Sequence, residues 1–183
     1  MVALFDRIVS DCEGAELAAR LGTPVVLNGD EEGLADRMLD EIERSDATLA
    51  VVGCRGFSRA VGITRGAATT TIVHEAPCSV LVARETDERG SWPRTIVAGL
   101  DGTQESERAV AVAQLLAARL GARLYVITAT QADPVTVLAD ESEDADLLVV
   151  GSRGLRGVRA LASVSERVAH EARCSVLVVK SSC

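Results

Sequence analysis

The chain has 183 residues, 48% of them hydrophobic and 25% charged, a balance that fits one ordinary globular domain or two small ones. Its 27 acidic residues against 19 basic ones leave a net charge of −8, and aromatics make up 2%, so neither a general phosphate-backbone binder nor an aromatic platform for single-stranded nucleic acid fits. No apolar run reaches the roughly eighteen residues of a membrane helix, and the acidic start MVALFDRIVSDCEG lacks the basic and then apolar order of a signal peptide; a cytoplasmic protein with no membrane or nucleic-acid partner is expected.

In chain order, Arg7–Val9 reads as a weak strand and Glu13–Leu21 as a short helix. Pro24–Leu27 is a strand candidate. Glu31–Arg44 has the helical period, with Leu34, Met38 and Ile42 on the buried face and Ala35 and Leu39 beside it. Leu49–Val52 and Ser79–Ala83 are short apolar strands. The charged stretch RETDERG and then WPRT at 92–95 mark a boundary, dividing the chain into residues 1–90 and 91–183.

The second half starts with a buried strand, Thr95–Leu100. A helix follows over Glu105–Leu120, with Ala109, Ala113, Leu116, Ala117 and Leu120 on one face and Gly121 as its stop. A strand at Arg123–Ala129, a helix from Asp133, a strand at Leu147–Val150, a glycine loop, a helix to about Ala172 and a strand at Ser175–Val179 complete it. Alternation of this kind predicts parallel β-α-β units with right-handed crossovers and helices on both sheet faces.

The chain also repeats itself. LAVVGCRGFSRAVG from Leu49 recurs as LLVVGSRGLRGVRA from Leu147, and IVHEAPCSVLVA from Ile72 as VAHEARCSVLVV from Val168. The copies lie just under a hundred residues apart, a spacing that fits a duplicated domain and is too long for a solenoid. The five cysteines, Cys12, Cys54, Cys78, Cys174 and Cys183, form no C-x-x-C pair, and only His74 and His170 could join them at a metal, so free thiols and no metal site are expected.

VVGSRG, then SVSERV, then CSVLVVK resemble, in that order, the C-terminal half of a universal stress protein domain. VAGLDGTQES at 97–106 is similar to that family's first strand and its Asp-Gly-Ser turn. ADPVTVLADESEDADLLVVG at 132–151 and NGDEEGLADRMLDEIERSDATLAVVG at 28–53 resemble its third helix and fourth strand. The resemblance covers nearly the whole chain, more closely after Gly22. It implies an α/β fold of two small doubly wound, Rossmann-like halves packed as a pseudo-dimer. Each half is shorter than a full family domain. The first is expected to lack the early strands, and the second passes from its second strand almost directly into its third helix, omitting a helix and a strand.

ATP-binding members of the family carry G-x2-G-x9-G-[S/T] between the fourth strand and fourth helix. A phosphate sits well at such a place because unpaired backbone N–H groups and the helix dipole both favour an anion, and glycine lets the backbone come close. In the first half Gly53, Gly56 and Gly66 keep the family spacing, Val52 precedes them, and Ala67 replaces the hydroxyl residue, leaving Thr69 and Thr70 in the first turn. In the second half Val150, Gly151 and Gly154 are present, but Ala162 stands at the last glycine position after only seven intervening residues; Ser163 and Ser165 supply hydroxyls. Asp101 matches the family's acidic residue near the adenosine, and Asp11 is its doubtful counterpart in the first half.

Each feature also has a plainer reading. Ser163-Val-Ser-Glu166 is an S-x-x-E capping box that requires no ligand. The glycines could serve only the strand-to-helix turn, and Asp101-Gly102 only a turn and helix start. The loop arginines at 55, 59, 65, 153, 156 and 159 fit solvated positions as well as phosphate contacts; His74 and His170 fit structural roles, and Cys54 a small stand-in for Ser152.

Taken with the resemblance, these residues imply a regulatory or stress-response protein binding ATP, with or without magnesium, weakly or in one half only. The second reading is an interaction or scaffold protein of the same fold, serving an unidentified protein partner, that has lost the nucleotide. A third, an enzyme, lacks any nucleophile and base constellation. Efficient hydrolysis is not expected either, because there is no Walker lysine or paired magnesium carboxylates and the only lysine is Lys180. The family resemblance further implies self-association, as a homodimer or an internal pseudo-dimer, through Ser79–Ala83 or Ser175–Val179.

Overall fold

The computed structural model describes residues 5, 7–11, 14–27, 33–53, 67–84, 92–128, 133–152 and 163–180. The chain divides into two compact units, one holding the elements before Arg84 and one those after Glu85.

The first unit runs β1 (Ile8–Asp11), α1 (Ala15–Leu21), β2 (Pro24–Leu27), α2 (Leu34–Ser45), β3 (Leu49–Gly53), α3 (Ala67–Glu75) and β4 (Ser79–Ala83). Every pairing is parallel, in the order β2-β1-β3-β4. The second unit repeats this with β5 (Thr95–Gly99), α4 (Gln104–Leu120), β6 (Arg123–Ile127), α5 (Pro134–Glu141), β7 (Leu147–Ser152), α6 (Val164–Glu171) and β8 (Ser175–Lys180), in the parallel order β6-β5-β7-β8. Both units are therefore doubly wound. The chain steps one way from β1 to β2 and back the other way to β3, so right-handed crossovers place α1 on one face and α2 on the other, where α3 packs beside α2. In the second unit α4 takes the first face, and α5 packs with α6 on the second.

Aliphatic runs make the inner strands. LAVVG in β3 is buried throughout, as are the first four residues of β7 and the first five of β8, which is the pattern of a parallel sheet covered on both faces. The outer strands differ: in β2 Val25 and Val26, and in β6 Tyr125 and Val126, are exposed. Helix α4 shows why these segments start and stop. Thr103 caps it by accepting the Ser106 N–H, Ala109, Ala113, Leu116 and Ala117 are buried along one side, and Gly121 closes it at φ 70 with its N–H on the Ala117 carbonyl. In α2 only Met38 and Ile42 of the expected face are fully buried; Leu34, Ala35 and Leu39 are half-buried.

One expectation is corrected. The first half does not lack its early strand: β1 lies between β2 and β3 and α1 follows it, so the two units carry the same four strands and three helices among the described residues. Both also pass from their second strand to the next helix without a further helix and strand.

Candidate functional site

Open α/β sheets bind ligands beyond the carboxyl ends of their strands, where the strand order reverses. That switch point falls between β1 and β3 in the first unit and between β5 and β7 in the second. Of the residues singled out from sequence, Val52, Gly53, Val150 and Gly151 form the tips of β3 and β7, Thr69 lies in the first turn of α3, Ser163 caps α6, Ser165 is in its first turn, and Asp101 follows β5 by two residues. Gly56, Gly66 and Gly154 lie outside the described residues.

In the first unit the tip is closed by side chains. Thr69, buried, donates its Oγ1–H to the Gly53 carbonyl at 3.2 Å. The Gly53 N–H is held at 2.9 Å by Oδ2 of Asp11, and the other carboxylate oxygen accepts the Gly14 N–H at 2.6 Å. Asp11 is 7% exposed. Gly14, just before α1, has no room for a side chain: a Cβ there would lie 2.8 Å from Val51 Cγ1 and 3.1 Å from Asp11 Oδ1.

The second unit is built differently. Asp101 is exposed; its Oδ1 accepts the Thr103 N–H at 3.0 Å and the Thr103 hydroxyl at 2.6 Å. Ser106 completes the turn, its hydroxyl donating to the Thr103 carbonyl at 2.9 Å and accepting the Asp101 N–H at 3.2 Å. This turn is seated on the tip of β7, because a Cβ on Gly151 would come within 2.5 Å of the Glu105 carbonyl carbon and oxygen. Glycine at 151 is thus required by close approach of helix backbone to strand tip. At α6, Ser163 accepts the Glu166 N–H at 3.3 Å and lies 3.3 Å from the hydroxyl of buried Ser165. The capping role is therefore present in the fold.

Sheet register corrects the pairing of acidic residues. Ile8 faces Leu49 and Ile96 faces Leu147, which are matching positions of the repeat, so Asp11 corresponds to Gly99 and not to Asp101. The position matching Asp101 is Glu13, outside the described residues. In the sequence Asp11 stands out only as a doubtful counterpart of Asp101. Its partner Gly53 is 42 residues away, a contact no local pattern reports.

His170 is exposed and sits 3.9 Å from Glu166 one turn earlier, while Cys78 and Cys174, at matching positions, are buried thiols. Among the described residues no group of three His, Cys, Asp or Glu side chains could hold a metal, and no helix is long and apolar enough to cross a membrane.

Residues 127–180 match the universal stress protein family. A universal stress protein of Mycobacterium tuberculosis is 28% identical over 228 residues, covering 98% of this chain and 76% of that one. One from Mycolicibacterium smegmatis is 25% identical, covering 95% and 74%. Since 98% of 183 residues is about 179, roughly 49 of the 228 aligned positions in the first case fall opposite gaps in this chain. In structure, a universal stress protein from Archaeoglobus fulgidus superposes with a TM-score of 0.70 at 16% identity, over 91% of this chain and 72% of that one, a likeness of fold. The matched family segment, relatives that span both halves and the twice-built doubly wound sheet make this chain similar to universal stress proteins in sequence and in fold.

Proposed function

We propose that the protein is a stress-response regulator that binds an adenine nucleotide, ATP, at a single site in its second unit. The observation that supports this most is the contrast between the switch points: beyond β5 the carboxylate of Asp101 is exposed and the hydroxyls of Ser163 and Ser165 stand at the start of α6, whereas in the first unit Asp11 is buried. On this reading Asp101 takes a hydroxyl or amino group of the nucleoside, and the start of α6, with its N–H groups and hydroxyls, favours the phosphates. Residues 1–90 and 91–183 are each a shortened domain of the family type, the protein works in the cytoplasm, and it self-associates through the terminal strands Ser79–Ala83 or Ser175–Val179, as a homodimer or an internal pseudo-dimer. Hydrolysis is not part of the role.

Calorimetric titration of the full chain with ATP, with and without magnesium, tests this. Saturable binding that Asp101→Ala weakens at least tenfold is the expected result. No heat at millimolar ATP would overturn the reading and leave the scaffold role, which Ala67, Ala162 and the capping engagement of Ser163 already favour.

A further inference from the structure

We infer that Asp11 is a built-in anion that occupies the ligand seat of the first unit, so that this unit is closed to the nucleotide and serves as a structural half. The inference concerns which half works and rests on the nucleotide reading above.

The argument begins where the sheet ladder stops. Strands β1 and β3 pair through Ile8, Val9 and Ser10, and Asp11 is the first residue beyond their last paired position, where the strands part to form the switch-point crevice. In the second unit β5 and β7 pair through Ile96, Val97 and Ala98, and the residue at the same place is Gly99. One strand therefore ends in a carboxylate at this position, and the other in a glycine, against which Leu138 and Val150 pack.

The carboxylate is bound on both sides. Oδ1 takes the N–H of Gly14 at the entry to α1, and Oδ2 takes the N–H of Gly53 at the tip of β3, both bonds being buried. These two backbone donors, on the two lips of the crevice, are groups of the kind that cradle an anionic ligand in this class of fold. They are occupied by an anion covalently part of the chain. Gly14 packs so closely against Val51 and the Asp11 carboxylate that a methyl group does not fit between them. Thr69, from the other wall, engages the Gly53 carbonyl. An anionic ligand group entering this crevice to take these donors would have to displace Asp11, and would leave its carboxylate without the Gly14 and Gly53 N–H groups beside a second negative charge. The matching position, Gly99, brings no negative charge.

The test has two arms, both on the full chain. In the first, amide resonances are followed while ATP is added to the unmodified protein. Shifts at Asp101, Thr103 and Gly151 with Gly14 and Gly53 unmoved, at one nucleotide per chain, are expected. Two nucleotides per chain, or saturable shifts at Gly53 and Gly14, would overturn the closed seat while leaving ATP binding intact. The second arm needs no nucleotide: hydrogen exchange at Gly14 and Gly53 is compared between the unmodified chain and Asp11→Asn. Exchange at both amides faster by about tenfold, relative to Val52 and Ala18 as references, is the expected signature of losing a charge-assisted acceptor. Unchanged exchange in a folded variant overturns the proposal; should the variant not fold, rapid exchange of Gly53 in the unmodified chain does the same. If ATP produces no shift anywhere, the nucleotide reading fails, and the exchange arm still decides whether the seat is filled.

Discussion

Replacing Gly151 with alanine is expected to loosen the second unit more than any other single methyl added at its strand tips. The added Cβ would lie 2.5 Å from the carbonyl carbon and oxygen of Glu105 and 2.8 Å from the Ser106 nitrogen. Ordinary contact between such atoms is about 3.5 Å, so helix and strand must part by roughly 1 Å. Neither can do so freely. β7 is paired on both sides, with β5 and with β8, and α4 is held by the Thr103 cap and by five buried residues. Overpacking against fixed backbone falls at the upper end of its usual range, about 3 kcal/mol. For a unit of this size each 1 kcal/mol moves the midpoint by roughly 4–8 °C, giving a fall of about 12–24 °C. Trp92 is the reporter: it is the only tryptophan, it is buried, and its indole N–H donates to the Asp146 carbonyl within the second unit. Gly102→Ala is the control, since that glycine has φ 80 and no atom within 4 Å of an added Cβ, so it carries backbone strain of about 1 kcal/mol and no clash. If thermal unfolding followed by Trp92 fluorescence shows Gly151→Ala no worse than Gly102→Ala, the start of α4 is not seated on β7, and the site built from that contact is wrong.

Two further substitutions separate stability from function. Ser163→Ala removes the cap of α6 and is expected to cost about 1 kcal/mol in urea unfolding; if the ATP dissociation constant is unchanged in the same variant, Ser163 is a cap alone, and a tenfold weakening assigns it a phosphate contact as well. Asp146→Ala removes the acceptor of the Arg94 and Thr95 N–H groups, both at 2.8 Å, and is expected to cost about 2 kcal/mol by the same measurement without affecting ATP binding; a loss under about 0.5 kcal/mol would mean that those groups find other partners in the turn before β5.

The elements that could be read without coordinates are those whose physics is local. LAVVG and LLVVG are short, wholly aliphatic runs, Gln104–Leu120 has the period of a helix packed on one side, and the repeated H-E-A-x-C-S-V-L-V segment requires that whatever one half does at its end the other does too. Covering an aliphatic strand on both faces leaves few architectures, and alternation with helices selects the parallel one. The start of the chain was harder to read for an equally physical reason. A four-residue strand with serine and aspartate at its end carries little period, and its place between β2 and β3 is set by strands 16 and 41 residues away. Composition, repeat, fold class and the likeness to universal stress proteins were thus legible in the residues alone, because burial patterns act over a few neighbours. Which aspartate lies at which switch point was decided only by the folded sheet. Asp11 and Asp101 look alike along the chain, each before a turn with glycine, but strand register puts the first at the base of one crevice and the second at the mouth of the other. Hydrogen bonding to Gly14 and Gly53 then makes the first a fastener, whereas Asp101 remains exposed.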